Sequence, residues 1–195
     1  MDKKVLIIFF TLFLLFGCKK SEVLTQENQD DIKIAVNSEY DDSRVEELIS
    51  ALGGKLVKNR PLFDAGIKDL KGRVSNLSDY KGKVIFLNLW ATWCPPCRGE
   101  MPTIEALYNE FRGKDFQIIA VSQGESEETV KKFLTDFNYT FPIFIDNKGQ
   151  VAKSYNSGAI PTTYIVDKKG DIIAQIVGGR DWASAEVKEL IEELL

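Results

Sequence analysis

The sequence predicts an α/β domain in which helices pack against a central mixed β-sheet. Two segments, 84–90 and 116–122, are almost continuously apolar, as expected of strands covered on both faces. Each is followed by apolar residues at helical spacing, and this strand–helix–strand–helix order implies parallel pairing with right-handed crossovers. Two further β-rich segments, 162–166 and 172–177, flank a glycine-containing loop that favours an antiparallel hairpin. The sheet should therefore contain both kinds of pairing.

Length and composition are compatible with one domain and some appendages. The chain has 195 residues, of which 44% are hydrophobic, and a net charge of −4. Basic and acidic residues are interspersed, and no basic run carries interleaved aromatic residues, so nucleic-acid binding is not expected. The chain has no histidine, which removes the usual acid–base catalyst at neutral pH and the commonest metal ligand. Proton transfer would depend on carboxylates, thiols or water.

The first 17 residues are typical of an export signal. A short basic segment precedes an apolar run at 5–16, which is too short to span a bilayer. The run ends in Leu15-Phe16-Gly17-Cys18, which resembles the lipobox of bacterial lipoproteins. This resemblance implies that Cys18 becomes the lipidated N-terminus of an extracytoplasmic, membrane-anchored protein on the periplasmic side. A plain cleaved signal peptide is the alternative.

The next two segments are predicted to connect the lipid to the domain. Residues 18–36 are mostly polar and predict a flexible tether, although an alternating apolar pattern leaves an edge strand as the alternative. The alternating residues are Ile32, Ile34 and Val36. Within 37–54, the capping-box sequence Ser43-Arg44-Val45-Glu46 and the terminating Gly53-Gly54 predict a short amphipathic helix. The sequence leaves open whether its apolar face packs on the domain or on a partner.

Residues 55–195 are expected to form the domain itself. Alternating apolar residues around Leu70-Lys71-Gly72-Arg73, within 62–77, predict an N-terminal β-hairpin that leads into the central strand 84–90. The following helix has apolar residues at i, i+3, i+4 and i+7. These are Ile104, Leu107, Tyr108 and Phe111.

The second half of the domain continues the alternation of strands and helices. Ser126 predicts the N-cap of a second helix. Its apolar face is expected to consist of Val130, Phe133, Leu134 and Phe137. A short strand at 141–145 and a brief helix precede the antiparallel hairpin. A last helix should begin at Asp181 or Ser184.

Two cysteines lie where the central strand runs into the first helix, in Trp93-Cys94-Pro95-Pro96-Cys97. At a helix N-terminus, unpaired backbone N–H groups and the helix dipole stabilise a thiolate, so Cys94 is predicted to be the nucleophile. Cys97 lies about one turn further along, where it can resolve a mixed disulfide by closing a bond to Cys94. The two prolines are tolerated in a first helical turn and stiffen the ring that the pair forms on oxidation. The motif therefore predicts a redox-active dithiol.

Two other interpretations of the Cys-x-x-Cys motif have less support. A zinc half-site would need two more ligands, whereas the chain has no histidine and only one further cysteine, Cys18. A purely structural disulfide stabilises a protein by closing a long loop, and a two-residue loop gains almost nothing. No metal and no bound cofactor are therefore expected.

The motif and its surroundings resemble a known family. A strand that runs into Trp-Cys-x-x-Cys and a later Ile160-Pro161 at the head of a hairpin resemble the thioredoxin fold over residues 55–195. Four stretches further resemble the TlpA/ResA group of exported thioredoxin-like disulfide reductases. They are 77–83, 88–97, 161–163 and 179–182. The resemblance implies that the peptide bond before Pro161 is cis and that the Ile160 backbone lies beside Cys94, where it can bind an extended substrate.

The resemblance also suggests roles for further residues. Thioredoxins have a buried Asp six residues before the first cysteine, whereas this chain has Asn88, which cannot act as a base. Glu100 should project from the same helical face as Cys97 and resembles the buried acid of ResA-like members. We expect burial to raise its pKa and expect it to assist deprotonation of Cys97; a solvent-facing glutamate is the alternative. Trp93 and Pro95 are expected to contact substrate together with Ile160 and Pro161.

The sequence therefore predicts an extracytoplasmic thiol–disulfide oxidoreductase that acts mainly as a reductase of client proteins, with Cys94, Cys97 and Glu100 as catalytic residues. A membrane electron donor would have to re-reduce the cysteines, and the protein should be a monomer. An oxidase or isomerase on the same fold and a non-catalytic lipoprotein adaptor are the alternatives. A peroxidase lacks support because the Thr-x-x-Cys of such enzymes is missing. Apocytochrome c is the family's best-known client and is a hypothesis here.

Overall fold

The computed structural model describes residues 40–195, which contain five α-helices and eight strands. The helices are α1 (Asp42–Ala51), α2 (Pro95–Phe111), α3 (Glu127–Leu134), α4 (Gln150–Ser154) and α5 (Ala185–Leu194). The strands are β1 (Lys55–Leu56), β2 (Gly66–Asp69), β3 (Val74–Asn76), β4 (Val84–Trp90), β5 (Phe116–Gln123), β6 (Ile143–Asp146), β7 (Thr162–Val166) and β8 (Ile172–Val177). A 3₁₀ turn, Leu77–Tyr80, precedes β4.

The eight strands form one mixed sheet in the order β1-β8-β7-β4-β5-β6-β2-β3. The central strand β4 pairs in parallel with β5 and antiparallel with β7, and β5 pairs in parallel with β6. All seven residues of β4 are buried, as a strand covered on both faces should be. The predicted mixed α/β sheet is therefore confirmed, and the carboxyl end of β4 leads directly into the cysteine motif.

The two faces of the sheet are covered by separate apolar clusters. Phe86 and Trp90 of β4 face the cluster that contains the buried residues of α1, α2 and α5. Leu87 and Leu89 face the opposite cluster, which contains Tyr155. Successive side chains of a strand alternate between its two faces, which explains this division.

The edges of the sheet contain one predicted element and one that the sequence did not suggest. The expected N-terminal hairpin is present as β2 and β3, and β2 adds to the sheet beside β6. At the other edge, the two-residue strand β1 pairs with β8. Two residues are too few to produce a recognisable alternation, so β1 was not predicted.

Helix α1 packs on the domain. The sequence had left open whether its apolar face packs there or on a partner. Three of its apolar side chains, Val45, Leu48 and Ile49, are buried. Arg44 donates two hydrogen bonds to Glu189 of α5, at 2.8 and 2.5 Å. The apolar face is therefore covered by the domain itself.

The N-cap of α1 differs from the prediction. The cap is Asp41, whose carboxylate accepts hydrogen bonds from the backbone N–H groups of Ser43 and Arg44 at 3.0 and 3.2 Å. The Ser43 hydroxyl itself donates to Asp41. A negatively charged acceptor at the positive end of the helix is favoured over a neutral hydroxyl, which explains the shift of two residues.

In the second half of the domain, the apolar face of α3 differs from the prediction, and the start of α5 is decided between the two predicted residues. Phe137 lies after the end of α3 and is 37% exposed, so it does not belong to that helix's apolar face. Ser184, one of the two candidates, is the N-cap of α5.

The predicted signal segment, lipidation site and tether lie outside the described residues. Among residues 40–195, no helix combines the length and apolar character needed to cross a membrane.

Candidate active site

The two cysteines occupy the N-terminus of α2. Cys94 is the N-cap, and the backbone N–H of Cys97 donates to the Cys94 Sγ at 3.3 Å. Pro95 and Pro96 fill the first two helical positions, where no backbone donor is needed. Cys94 and Cys97 are joined in a disulfide, so this is the oxidised state of the pair. Both cysteines are buried, Cys97 fully and Cys94 to 3% exposure, so Cys94 is the less enclosed residue of the pair.

Glu100 is buried on the same helix, three residues after Cys97. Its Oε1 accepts a hydrogen bond from the Asn88 side chain at 2.9 Å. Its Oε2 accepts one from the Trp182 indole at 2.9 Å and one from the Arg180 backbone N–H at 3.3 Å. Burial raises the pKa of Glu100, and these hydrogen bonds and the Arg180 charge oppose part of that rise. Glu100 is only 3% exposed, so the alternative of a solvent-facing glutamate is wrong.

Asn88 supports Glu100 from the central strand. It is buried in β4, and its amide nitrogen donates both to Glu100 and to Thr163 Oγ1, the latter at 3.0 Å. A carboxylate at position 88 would face the Glu100 carboxylate and repel it, whereas an amide supplies a donor. The departure from the thioredoxin pattern at Asn88 therefore matches the presence of a buried acid on the helix.

The Ile160–Pro161 peptide bond is cis, as the resemblance implied. The register of β4 and β7 pairs Leu89 with Thr162, so Ile160 and Pro161 lie at the end of the sheet where β4 leads to Cys94. The Pro161 carbonyl accepts a hydrogen bond from Gly178 at 2.8 Å. The chain thus brings Pro161 to the cysteine end of the sheet and ties it to the segment after β8.

A surface recess of about 540 Å³ lies next to the motif. It is lined by Trp93, Gln123, Gly124, Gly149, Ser157, Gly158, Ala159 and Ile160. Trp93 is 68% exposed and Pro95 is also exposed, whereas Trp90 is buried in the core. The recess therefore joins Trp93, the residue before Cys94, to Ile160, the residue before the cis proline.

Comparison with known proteins agrees with this geometry. Residues 59–175, more than half of the chain, match the model of the AhpC/TSA family. The chain belongs to this family. The chain is 47% identical over 116 residues to the thiol–disulfide oxidoreductase ResA of Geobacillus kaustophilus. This match covers 60% of this chain and 66% of the ResA chain, which is just under two thirds of its length. It is 40% identical over 131 residues to ResA of Geobacillus thermodenitrificans, covering 67% and 74% of the two chains.

A solved structure gives the same answer for the fold. The crystal structure of the thiol:disulfide interchange protein DsbE from Chlorobium tepidum has a TM-score of 0.65 and 30% sequence identity, and the match covers 71% of this chain and 97% of that one. The fold is thioredoxin-like, as the sequence predicted. This chain is accordingly a thiol–disulfide oxidoreductase of the ResA and DsbE type.

Sequence reasoning missed two residues of this ResA-type site. Glu125 is 7% exposed and accepts hydrogen bonds from the backbone and hydroxyl of Thr92 and from the Ser122 hydroxyl. It fixes the loop just before Cys94, but in the sequence it is one of several acidic residues near the start of α3. Trp182 is the second missed residue. Two features of the sequence could have pointed to Trp182: it lies in the family-like stretch 179–182, and its indole N–H needs an acceptor when buried. Its partner Glu100 lies 82 positions away, however, so the sequence did not indicate the contact.

Proposed function

We propose that this ResA-type oxidoreductase reduces disulfides of client proteins outside the cytoplasm, with Cys94 as nucleophile and Cys97 as resolving thiol. The observation that carries the proposal is the asymmetry of the pair. The Cys94 sulfur lies at the helix N-terminus and accepts the Cys97 N–H, whereas Cys97 is fully buried, on the helix that also carries the buried Glu100. A helix N-terminus stabilises the thiolate form of a cysteine, which is the attacking species.

In the first step, the Cys94 thiolate attacks one sulfur of a client disulfide. The client S–S bond breaks, one client cysteine leaves as a thiolate, and the other remains joined to Cys94 in a mixed disulfide. The exposed Trp93 and Pro95 and the half-buried Ile160 would form the surface on which the client lies, with the buried Pro161 directly beneath the end of that segment. A backbone segment beside the active sulfur can hold a client as an added extended strand.

In the second step, Cys97 loses its proton to the Glu100 carboxylate and attacks the Cys94 sulfur. The bond between Cys94 and the client breaks, and the electron pair leaves on the client cysteine. The Cys94–Cys97 disulfide that forms is the state in the structure. An external dithiol or membrane electron donor must then supply two electrons and two protons before another turnover.

The N-terminal sequence supports the proposed location. The apolar segment and Cys18 are arranged as in an exported lipoprotein, which would hold the domain at a membrane surface in an oxidising compartment. Apocytochrome c is the client class that the family resemblance favours. A non-catalytic adaptor that docks through α1 has less support, because the apolar side chains of that helix are buried.

Client capture tests the proposed roles of the two cysteines. In the full chain, Cys97→Ala should accumulate mixed disulfides through Cys94, because the resolving thiol is gone. Cys94→Ala is the matched control and should capture far less, since the remaining cysteine of the motif, Cys97, is fully buried; Cys18 is common to both variants and cancels in the comparison. Equal capture by the two variants, or capture by neither, would contradict the assignment.

The reduction potential decides the direction of electron flow. The Cys94/Cys97 pair would be equilibrated in thiol buffers and its oxidised fraction read by mass after alkylation. We expect a value near that of thioredoxin, about −270 mV, which suits a reductase. A value near about −120 mV would assign an oxidase, and one near about −180 mV an isomerase.

A further inference from the structure

The environment of Glu100 is set largely by a loop that follows β8. Both hydrogen bonds to Oε2 come from this loop, one from the Arg180 backbone and one from the Trp182 indole. The loop backbone turns at Gly178, which has φ of +88°. Trp182 is held in place independently, because its backbone N–H donates to Thr103 Oγ1 at 3.0 Å. The position of Arg180 must be fixed by other contacts.

The Arg180 guanidinium supplies those contacts. It donates to two carbonyls of its own loop, those of Val177 at 3.3 Å and Gly179 at 3.1 Å. It also donates through Nε to the carbonyl of Leu52, at 2.9 Å. Leu52 is the C-cap of α1, where backbone carbonyls lack helical partners and a positive charge is favoured. The side chain therefore joins the loop beside Glu100 to the end of the N-terminal helix.

The turn after α1 is shaped to receive this arginine. Gly53 has φ of +62°, and a Cβ there would lie 3.2 Å from Arg180 Nη2. A Cβ on Gly54 would lie 2.8 Å from Ile176 Cγ1 and 3.0 Å from the Ile49 carbonyl oxygen. Two glycines thus allow α1 to end directly against β8 and the guanidinium.

We propose that Arg180 is a positioning residue for Glu100, and that its bond to the C-cap of α1 makes this helix part of the support of the redox site. The inference rests on the proposed role of Glu100 and deepens it. The guanidinium holds the loop so that the Arg180 N–H reaches the carboxylate, and its charge favours the ionised carboxylate that accepts the Cys97 proton.

The charged surroundings of Glu100 are few. A cavity of about 320 Å³ beside it is lined by Pro96, Gly99, Glu100, Gly179, Arg180 and Asp181. The neighbour from β4 is the uncharged Asn88, whose amide also donates to Thr163 of β7. On α2, Cys97 lies three positions before Glu100 and does not titrate while it is held in the disulfide. Of the charged side chains, Arg180 is the one whose charge lowers the pKa of Glu100. Its removal should therefore raise that pKa further.

The test is a carboxyl titration by ¹³C NMR of the full chain in its oxidised form, with the Glu100 signal assigned by its absence in Glu100→Gln. We expect Arg180→Gln to move the midpoint upward by roughly 1 pH unit, the low end of the effect of a nearby opposite charge. Arg112→Gln removes the same charge at the other end of α2 and should leave the midpoint unchanged. An unchanged midpoint in Arg180→Gln overturns the proposal.

A second variant tests the link to α1 without removing charge. Asn tolerates the left-handed conformation, so Gly53→Asn places a Cβ against the guanidinium with little backbone strain. It should also raise the midpoint. Gly149→Asn is the control, because Gly149 has the same φ of +62° and a Cβ there would meet no other atom. This variant should leave the Glu100 midpoint unchanged. If Arg180→Gln moves the midpoint and Gly53→Asn does not, the part assigned to α1 is overturned.

These readouts are separate from the proposed function. The titration uses oxidised protein and needs no client, so it reports on Arg180 even if Glu100 has no part in catalysis. Conversely, unimpaired client release by Glu100→Gln would remove the role of Glu100 in the proposed function, whatever Arg180 does to its titration.

Discussion

Glu100 is a carboxylate held inside the domain by three donors that come from distant parts of the chain. Asn88 reaches it from the central strand, and Arg180 and Trp182 reach it from the loop after β8. Burial raises its pKa, which brings the carboxyl nearer to the pH at which a base is useful. Trp182 also packs edge-on against Phe86, with ring centroids 4.8 Å apart, so the donor is anchored in the core.

The first prediction concerns the release step. If Glu100 accepts the Cys97 proton, release of a peptide from its mixed disulfide with Cys94 should quicken as the pH rises through the pKa of Glu100, because only the carboxylate is a base. Glu100→Gln should lack this inflection and release the peptide about 10²-fold more slowly, the low end of general-base effects. Stopped-flow fluorescence with a labelled peptide across the pH range measures both features.

The control for this measurement lies on the same helix. Glu110 is half exposed and pairs with Lys188, so Glu110→Gln changes the same charge away from the site. Its release profile should match that of the unmodified chain. If Glu100→Gln keeps both the rate and the inflection, Glu100 is not the base, and its burial must have another reason.

Site residues could be predicted from the sequence where they lie close together along the chain. The cysteine pair and Glu100 are separated by three positions each, so helix geometry relates them directly. Contacts that close over long stretches of chain carry no local signal. Glu125 lies 33 positions from Thr92, and Arg180 lies 128 positions from Leu52. Only the folded sheet and its loops bring those pairs together.

At the scale of elements, the sequence pattern predicted long, strongly apolar segments best. The bounds of β4, β7 and β8 match the prediction because each is a mainly apolar run rich in β-branched or aromatic residues. The ends of helices were less certain, since several capping side chains compete within a few residues. Asp41 and Ser43 are both capping types, and only the charge of Asp41 favours it.

Helix α1 provides the second prediction. Leu48 is 2% exposed in the core cluster, so Leu48→Ala should lower the free energy of unfolding by about 2–5 kcal/mol, as large-to-small core substitutions do. A helix merely attached to the domain would tolerate the change. Urea denaturation of the oxidised chain, followed by tryptophan fluorescence, measures the difference.

A neighbouring exposed residue supplies the comparison for α1. Glu46 belongs to the predicted capping box but lies exposed in a helix that Asp41 caps. Glu46→Ala should therefore change the unfolding free energy by less than about 0.5 kcal/mol. A large loss for Glu46→Ala together with a small one for Leu48→Ala would mean that the capping box, and not core packing, holds this helix.

At the scale of the whole molecule, a single sheet connects the redox motif, the proposed client surface and helix α1. The carboxyl end of β4, the cis Ile160–Pro161 bond and the loop after β8 meet at one end of that sheet. The parallel pairing of β4, β5 and β6 and the antiparallel hairpin β7–β8 could be inferred from the order of elements along the chain. The addition of β1 and the hairpin β2–β3 to opposite edges could not, since short strands do not specify their partners.

The last prediction concerns how the molecule is attached to its compartment. If Cys18 is a lipidation site, the mature chain should begin at Cys18, carry added acyl mass there and fractionate with membranes when expressed in a bacterium. Cys18→Ser should lose the acyl mass, because the hydroxyl cannot replace the thiol that bears the lipid, whereas Cys97→Ala should keep it. Intact mass spectrometry of the membrane and soluble fractions measures each species. A mature chain that begins elsewhere and remains soluble would instead establish a plain cleaved signal peptide, and the redox domain would then meet its electron donor by diffusion.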